Sequence, residues 1–286
     1  MRLDCTSTPT AGPVAIDWTS AARQQIDDHL HLLLEAAHPS RVTEAMRYAV
    51  LSPGKRLRPL LMMAVADFLG ARRDSIVPVA CAVEMIHAAS LVLDDLPCMD
   101  NDRERRNRPS THAVYGEDCS ILAAVSLLMH AHAILAGHDG LPPAVRLKMI
   151  HLLCETIGSS GLSLGQYIDL ASKSAPAAPD AITNVHHLKT GILFLAAARA
   201  GCLMCDASPA QEAKVLAYTT SLGLAFQLKD DLTDIDAPGL NLASRIGVSN
   251  AERQFQRHLR RAHAAIEGED CAEVLTSFTN AVFARH

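Results

Sequence analysis

Two stretches of this chain run from apolar residues straight into aspartates. The first is Leu91-Val92-Leu93-Asp94-Asp95-Leu96-Pro97-Cys98-Met99-Asp100-Asn101-Asp102, and the second is Phe226-Gln227-Leu228-Lys229-Asp230-Asp231-Leu232-Thr233-Asp234. Apolar runs of this kind belong inside a protein, whereas unpaired carboxylates do not. The fold must therefore bury two elements and open a polar space at the end of each.

Those elements read as helices. Aromatic residues make up only 4% of the chain, and the abundance of Ala and Leu favours helix over strand. Ile26, Leu30, Leu33 and Leu34 recur at steps of three and four after Trp18. A short helix over 40–50 stops at Ser52-Pro53-Gly54, and Pro59 and Pro78 each open another at its first turn. Further helices are predicted at about 118–137, 143–158, 161–171, 181–204, 209–235, 250–267 and 270–284. The polar segment 103–116 reads as loop, and 171–180, with two prolines, as the clearest connector. No break marks a second domain, so the expectation is a disordered tail over 1–17 and one all-α domain over 18–286.

The 49% hydrophobic content supports a sizeable core, and a net charge of -5 disfavours nucleic acid as a partner. The scattered cysteines suggest no disulfide framework, which fits a cytoplasmic protein. Cys202 and Cys205 read as small core residues. The stretch 120–137 would reach roughly 27 Å as a helix. It contains His130 and His132 and reads as a core helix without stable membrane insertion. The C-terminal row Arg253, Arg257, Arg260 and Arg261 reads as a solvated helix face.

Asp230 and Asp234 share a helix face with Gln227 one turn earlier. Two like charges about 4 Å apart repel by roughly 4 kcal/mol at an effective dielectric near 20, a cost that a bridging cation removes. Oxygen-only ligands favour Mg²⁺ over zinc. Asp94 and Asp100 are about 120° apart on an ideal helix, so Pro97 must end or bulge the helix for them to converge. Glu84, His87, Leu91 and Asp94 form a stripe that turns His87 toward the same space. Gly54-Lys55-Arg56-Leu57-Arg58-Pro59 and Arg105-Arg106 add cations. Carboxylates interleaved with cations suit a phosphorylated ligand held through Mg²⁺ on one side and Arg or Lys on the other.

These motifs, with Gly165-Gln166-Tyr167-Ile168-Asp169 and Leu188-Lys189-Thr190-Gly191 between them, resemble the ordered motifs of trans-isoprenyl diphosphate synthases. The resemblance covers roughly residues 20–235 and is strongest to bacterial geranylgeranyl diphosphate synthases. It implies an isoprenoid-synthase-type helical bundle around a deep central cavity, usually a homodimer. Asp94, Asp100 and Asp230 would bind three Mg²⁺ ions, with Asp95, Asp231 and Asp234 nearby. Arg105, Lys189, Thr190 and Gln227 would act in catalysis by holding the allylic diphosphate (dimethylallyl, geranyl or farnesyl). Lys55, Arg58, His87 and Arg106 would hold isopentenyl diphosphate. Ala89 and Ser90, small residues just before Asp94, would leave depth for a twenty-carbon product, and Ala89→Tyr should shorten it.

The chain departs from the family pattern at Pro53, Arg103 and Asn107. It also has a short, lysine-free stretch after Asp234 where the family carries a closing loop. Farnesyl diphosphate synthase and a non-catalytic subunit of a heteromeric synthase are the alternatives. A class I terpene cyclase fits less well, because the second motif is all carboxylate and Lys55 and Arg58 imply a second diphosphate.

Overall fold

The computed structural model describes residues 14–35, 39–71, 75–172, 179–235 and 240–284, with side chains from residue 18 onward. Four helices lead to the first acidic cluster: α1 (Val14–Leu33), α2 (Arg41–Val50), α3 (Leu57–Phe68) and α4 (Val77–Asp94). A hairpin of β1 (Glu104–Arg105) and β2 (Arg108–Pro109) follows, then α5 (Thr111–Tyr115), α6 (Glu117–Ala136), α7 (Pro143–Ile157) and α8 (Leu162–Ser172). Next come α9 (Pro179–His186), a π turn at His187–Gly191, α10 (Ile192–Met204) and α11 (Pro209–Thr233), which carries the second cluster. α12 (Leu242–Ile246), α13 (Val248–Ile266) and α14 (Ala272–Phe283) complete the chain.

Local chemistry starts and stops these helices. Ser40 caps α2 through the Thr43 N–H, and Ser208 and Gln211 form a reciprocal capping box on α11, with Pro209 in its first turn. The core is built on α3 and α4, apolar on nearly every side: Leu60 to Ala66 and Val79 to Val83 are 0–1% exposed. α10 packs against α3 and α4. Helices that are apolar all round can only be interior elements, so α4 delivers Asp94 from the middle of the molecule.

The expected all-α class holds, with local corrections. The predicted loop 103–116 contains the two-residue antiparallel ladder, pairing Glu104 with Pro109 and Arg105 with Arg108, and the short helix α5. Arg106 and Asn107 form its turn at φ 54° and 61°. With φ positive at both central positions this is a type I′ turn, and Asn tolerates that conformation better than most residues. Asn107 thus fits where a Gly was expected. The predicted helix 181–204 is interrupted by the π turn. α1 starts at Val14, inside the predicted tail, and residues 1–13 lie outside the described residues. So do 173–178 of the connector and 236–239 of the stretch after Asp234.

Cys202 is buried and Cys205 is partly buried against the core, and burial pushes their thiols up to about 12 and about 11. They are protonated core residues, as expected.

Candidate active site

α4 ends at Asp94, and the turn after it closes the six-residue gap. The Asp100 N–H donates to the Asp94 carbonyl at 2.9 Å, and the Asn101 N–H to the Leu96 carbonyl at 3.0 Å, with Asn101 in the left-handed region at φ 57°. Pro97 stands inside this turn and cannot extend the ladder. Burial first, and then the neighbouring Asp100, push the Asp94 carboxyl up to about 6 against the pull of Lys189. Asp95 points elsewhere: only 3% exposed, it takes Arg105 Nε at 2.7 Å and Nη2 at 2.5 Å. It positions Arg105 and does not join the open carboxylates.

Lys189 emerges from the π turn between two carboxylates, with Nζ 2.5 Å from Asp169 Oδ2 and 3.8 Å from Asp100 Oδ2. A π turn widens the helix by one residue and redirects its side chains, a device common at functional sites. Gly165 lets α8 approach this turn. A Cβ there would lie 2.8 Å from Leu188 Cβ and 2.9 Å from the Leu188 carbonyl carbon, backbone that cannot step aside. Thr190 follows Lys189 in the same turn. Asp169, quoted in a motif but assigned no role from sequence, is therefore a site residue.

The cations near Gly54 separate by direction. Arg56, 6% exposed, pairs with Asp27 at 2.8 Å and Glu84 at 3.0 Å, so it and Glu84 belong to the core. Arg58 places Nη1 3.0 Å from His87 Nε2 and lies over the Phe194 ring at 5.0 Å. A guanidinium only donates, so Nε2 accepts and the ring proton sits on Nδ1. Burial and then the surrounding arginines, Arg58 foremost, hold His87 well below the usual imidazole range. Burial lowers Arg58 to about 10, which still leaves it charged at neutral pH. Its Nε is buried without a partner, an idle donor suited to an anionic oxygen. Arg106 folds back over Gly54 and donates from Nη1 to the Pro53 carbonyl at 3.0 Å.

On α11, burial raises Asp230 to about 6, with Lys55 pulling it down and Asp234 and Asp231 pushing it up. Asp231 is engaged by the protein. Its oxygens accept Gln227 Nε2 at 3.0 Å and the Leu242 N–H at 2.9 Å. Asn241, unnoticed in the sequence, donates to the Asp231 and Asp234 carbonyls at 2.8 Å and 3.1 Å and caps α12 through Ser244. The Asp94 and Asp230 helices are linked through Arg58, Phe194 and Phe226, whose rings lie 5.8 Å apart.

A cavity of about 300 Å³ opens beside Asp94 and Lys189. Ile86, Ser90 and Leu93 of α4, Leu128 of α6 and Ile157 of α7 line it, along with Gln166. Ser90 of the predicted pair faces this space, whereas Ala89 is fully buried in the core and is not part of the lining. Both amide atoms of Gln166 are buried without a partner.

Among the described residues no three acidic, histidine or cysteine side chains converge to chelate a metal unaided. The donor chemistry still fits Mg²⁺, which keeps several waters and binds through one or two carboxylates plus substrate phosphates. Asp94 and Asp230, raised by burial and by like charge, are the carboxylates an added cation would relieve.

Two acidic helix ends, an apolar cavity beside one of them and two groups of cations define a synthase that handles diphosphates carrying hydrocarbon tails. The Polyprenyl synthetase family model matches residues 39–244, and the chain belongs to that family, as a trans-prenyltransferase. It is 41% identical over 253 residues to the geranylgeranyl diphosphate synthase of Pseudescherichia vulneris, covering 84% of this chain and 82% of the relative. It is 36% identical over 235 residues to the farnesyl diphosphate synthase of Geobacillus stearothermophilus, covering 81% and 79%. The crystal structure of an FPP/GFPP synthase from Zymomonas mobilis superposes with a TM-score of 0.89 at 34% identity, over 95% of this chain and 99% of that one.

Proposed function

We propose that this enzyme extends allylic diphosphates with isopentenyl diphosphate to geranylgeranyl diphosphate, working as a homodimer in the cytoplasm. The observation that carries the reading is the apolar cavity running from Asp94 and Lys189 past the small Ser90 to Ile86 and Leu128.

Lys189 and Arg105 face the allylic diphosphate, with Thr190 and Gln227 beside them. Lys55, Arg58, His87 and Arg106 hold isopentenyl diphosphate. Asp94, Asp100 and Asp230, with Asp234 at the helix end, would hold three Mg²⁺ ions. When bound, these neutralise charge developing on the departing diphosphate. The cations of the chain stabilise the same charge as the allylic C–O bond breaks. The double bond of isopentenyl diphosphate supplies the electron pair for the new C–C bond. A proton then leaves the adjacent carbon for the released diphosphate, restoring a double bond. The aliphatic walls keep water from the cation, and His87, neutral with its proton on Nδ1, binds without adding positive charge near it.

The homodimer reading rests on α6. Ile121, Leu122, Val125 and Met129 are 43–60% exposed along one side of that helix, a contiguous apolar face suited to a second copy. Size-exclusion chromatography with light scattering should give twice the chain mass.

The test of activity is incubation of the purified protein alone with Mg²⁺, isopentenyl diphosphate and labelled farnesyl diphosphate, followed by chromatography. A twenty-carbon product is expected. No extension until a second subunit is added would overturn the reading in favour of a non-catalytic subunit.

A further inference from the structure

A second cleft, of about 420 Å³, lies between the α9–α10 segment and α11. None of the roles assigned above uses it, although Gln227 stands in its wall. Its size is within the range of small-molecule sites. Its apolar surface comes from Leu195 and Leu224 and from the bare backbone at Gly191 and Gly223. A Cβ built on Gly223 would meet nothing within 4 Å, so this glycine leaves open space over the helix. Thr219 also lines the cleft. It is 1% exposed, and its Oγ1 is buried without a hydrogen-bond partner. An orphan hydroxyl in a buried wall carries a cost that a ligand's polar group would remove.

The lining chooses the ligand class. Among the described residues no lysine or arginine lines the cleft, and Asp180 stands in its wall. Among the described residues a diphosphate would meet two histidines and one carboxylate but no lysine or arginine, so a second copy of the substrate is disfavoured. An uncharged hydrocarbon ending in a hydroxyl satisfies both the apolar wall and the polar groups of Thr219, Asn184 and Gln227.

We propose that this cleft binds a neutral, hydroxyl-terminated lipid and reports its presence to the synthase site through Gln227. The amide of Gln227 holds Asp231 Oδ1 at 3.0 Å, and the other oxygen of Asp231 holds the Leu242 N–H at 2.9 Å. A ligand hydroxyl competing for that amide loosens the end of α11, where Asp230 and Asp234 stand. Occupancy therefore raises KM for the allylic diphosphate. This coupling rests on the synthase reading above, whereas binding itself does not.

The probe is radiolabelled farnesol, with binding measured by equilibrium dialysis on the full chain. Gly223→Leu fills the cleft, and Ser90→Phe fills the substrate cavity. Wild type and Ser90→Phe are expected to bind farnesol, while Gly223→Leu loses it at least tenfold and keeps its basal synthase activity. Thr219→Val, which keeps the shape and removes the hydroxyl, should bind about tenfold more weakly. Farnesol should also raise KM for farnesyl diphosphate in wild type and leave it unchanged in Gly223→Leu. No binding to wild type, binding retained by Gly223→Leu, or loss in Ser90→Phe would each overturn the site. Binding with the expected variant pattern but no change in KM would overturn the coupling alone.

Discussion

Gly54→Ala should cripple one substrate site without harming the fold. Arg106 lies across Gly54: a Cβ built there overlaps Arg106 Nη1 and stands 3.2 Å from Cζ. The obstructing group is the tip of a long, exposed side chain, so the backbone has no reason to move. What must move is the guanidinium, which leaves the Pro53 carbonyl it holds at 3.0 Å. If Arg106 holds isopentenyl diphosphate from this position, the variant forfeits one charge-assisted hydrogen bond, worth about 1.5–3 kcal/mol. That corresponds to a rise of roughly 10- to 100-fold in KM for isopentenyl diphosphate at 1.4 kcal/mol per decade. Steady-state kinetics should show this rise, with KM for the allylic diphosphate and the melting temperature unchanged. A change below about twofold would show that the Arg106 position is irrelevant to binding. A large fall in melting temperature would show that Gly54 serves the fold instead.

Neighbouring cations should behave oppositely. Lys55→Ala is expected to raise KM for isopentenyl diphosphate about tenfold at unchanged stability, whereas Arg56→Ala strands buried Glu84 and should cost about 3–5 kcal/mol in urea unfolding. Equal stability of the two variants would contradict the assignment. Ser90→Phe should fill the cavity and shift the product from twenty carbons toward fifteen or fewer, read by chromatography; an unchanged product would move the chain-length wall elsewhere. His87 gives a pH test. Its ring is held neutral when folded, while the unfolded imidazole keeps its ordinary value of 6.5. Below that value the unfolded chain takes up a proton that the native ring refuses, so this group lowers stability as pH falls, by about 1.4 kcal/mol per unit. His87→Gln should therefore lose less stability than wild type on acidification from neutral pH toward about pH 5, in urea titrations. Parallel curves would mean that the native ring accepts the proton after all.

Much of this site was legible in the sequence because its logic is one of periodicity and charge. Two helices whose apolar residues run into aspartates at their ends announce a cavity, and Pro97 announces that the first helix must stop. The Asp100-to-Asp94 hydrogen bond at 2.9 Å is the closure that this spacing demanded. Helix content was legible as well, since α3 and α4 are long runs of apolar residues broken by few polar ones. What a linear pattern does not carry is the direction of a side chain where the backbone leaves the regular helix. Arg56 sits in the left-handed region at φ 51°, so the next turn starts with Arg56 inward and Arg58 toward the site. The π turn likewise aims Lys189 at Asp169 and Asp100, a rotation that a helix drawn straight from 181 to 204 misses.

Adjacent identical residues are where this limit bites hardest, and they show how the site is built. Asp94 and Asp95 look interchangeable on paper, as do Asp230 and Asp231. The members of each pair differ in their partners. The first carboxylate, buried and among like charges, is pushed up to about 6. The second, although burial raises Asp95 too, is held by hydrogen bonds from the protein. Asp95 fixes Arg105, and Asp231 fixes Gln227 and the chain at Leu242. A carboxylate with two committed partners is a poor ligand for a mobile ion but a good strut for the groups that surround it. The doubled aspartates therefore divide one requirement in two, an open charge for the cation and a buried one that holds the cation's surroundings still. Replacing the second member of either pair by Asn should accordingly disturb the positions of Arg105 or Gln227 before it disturbs metal affinity.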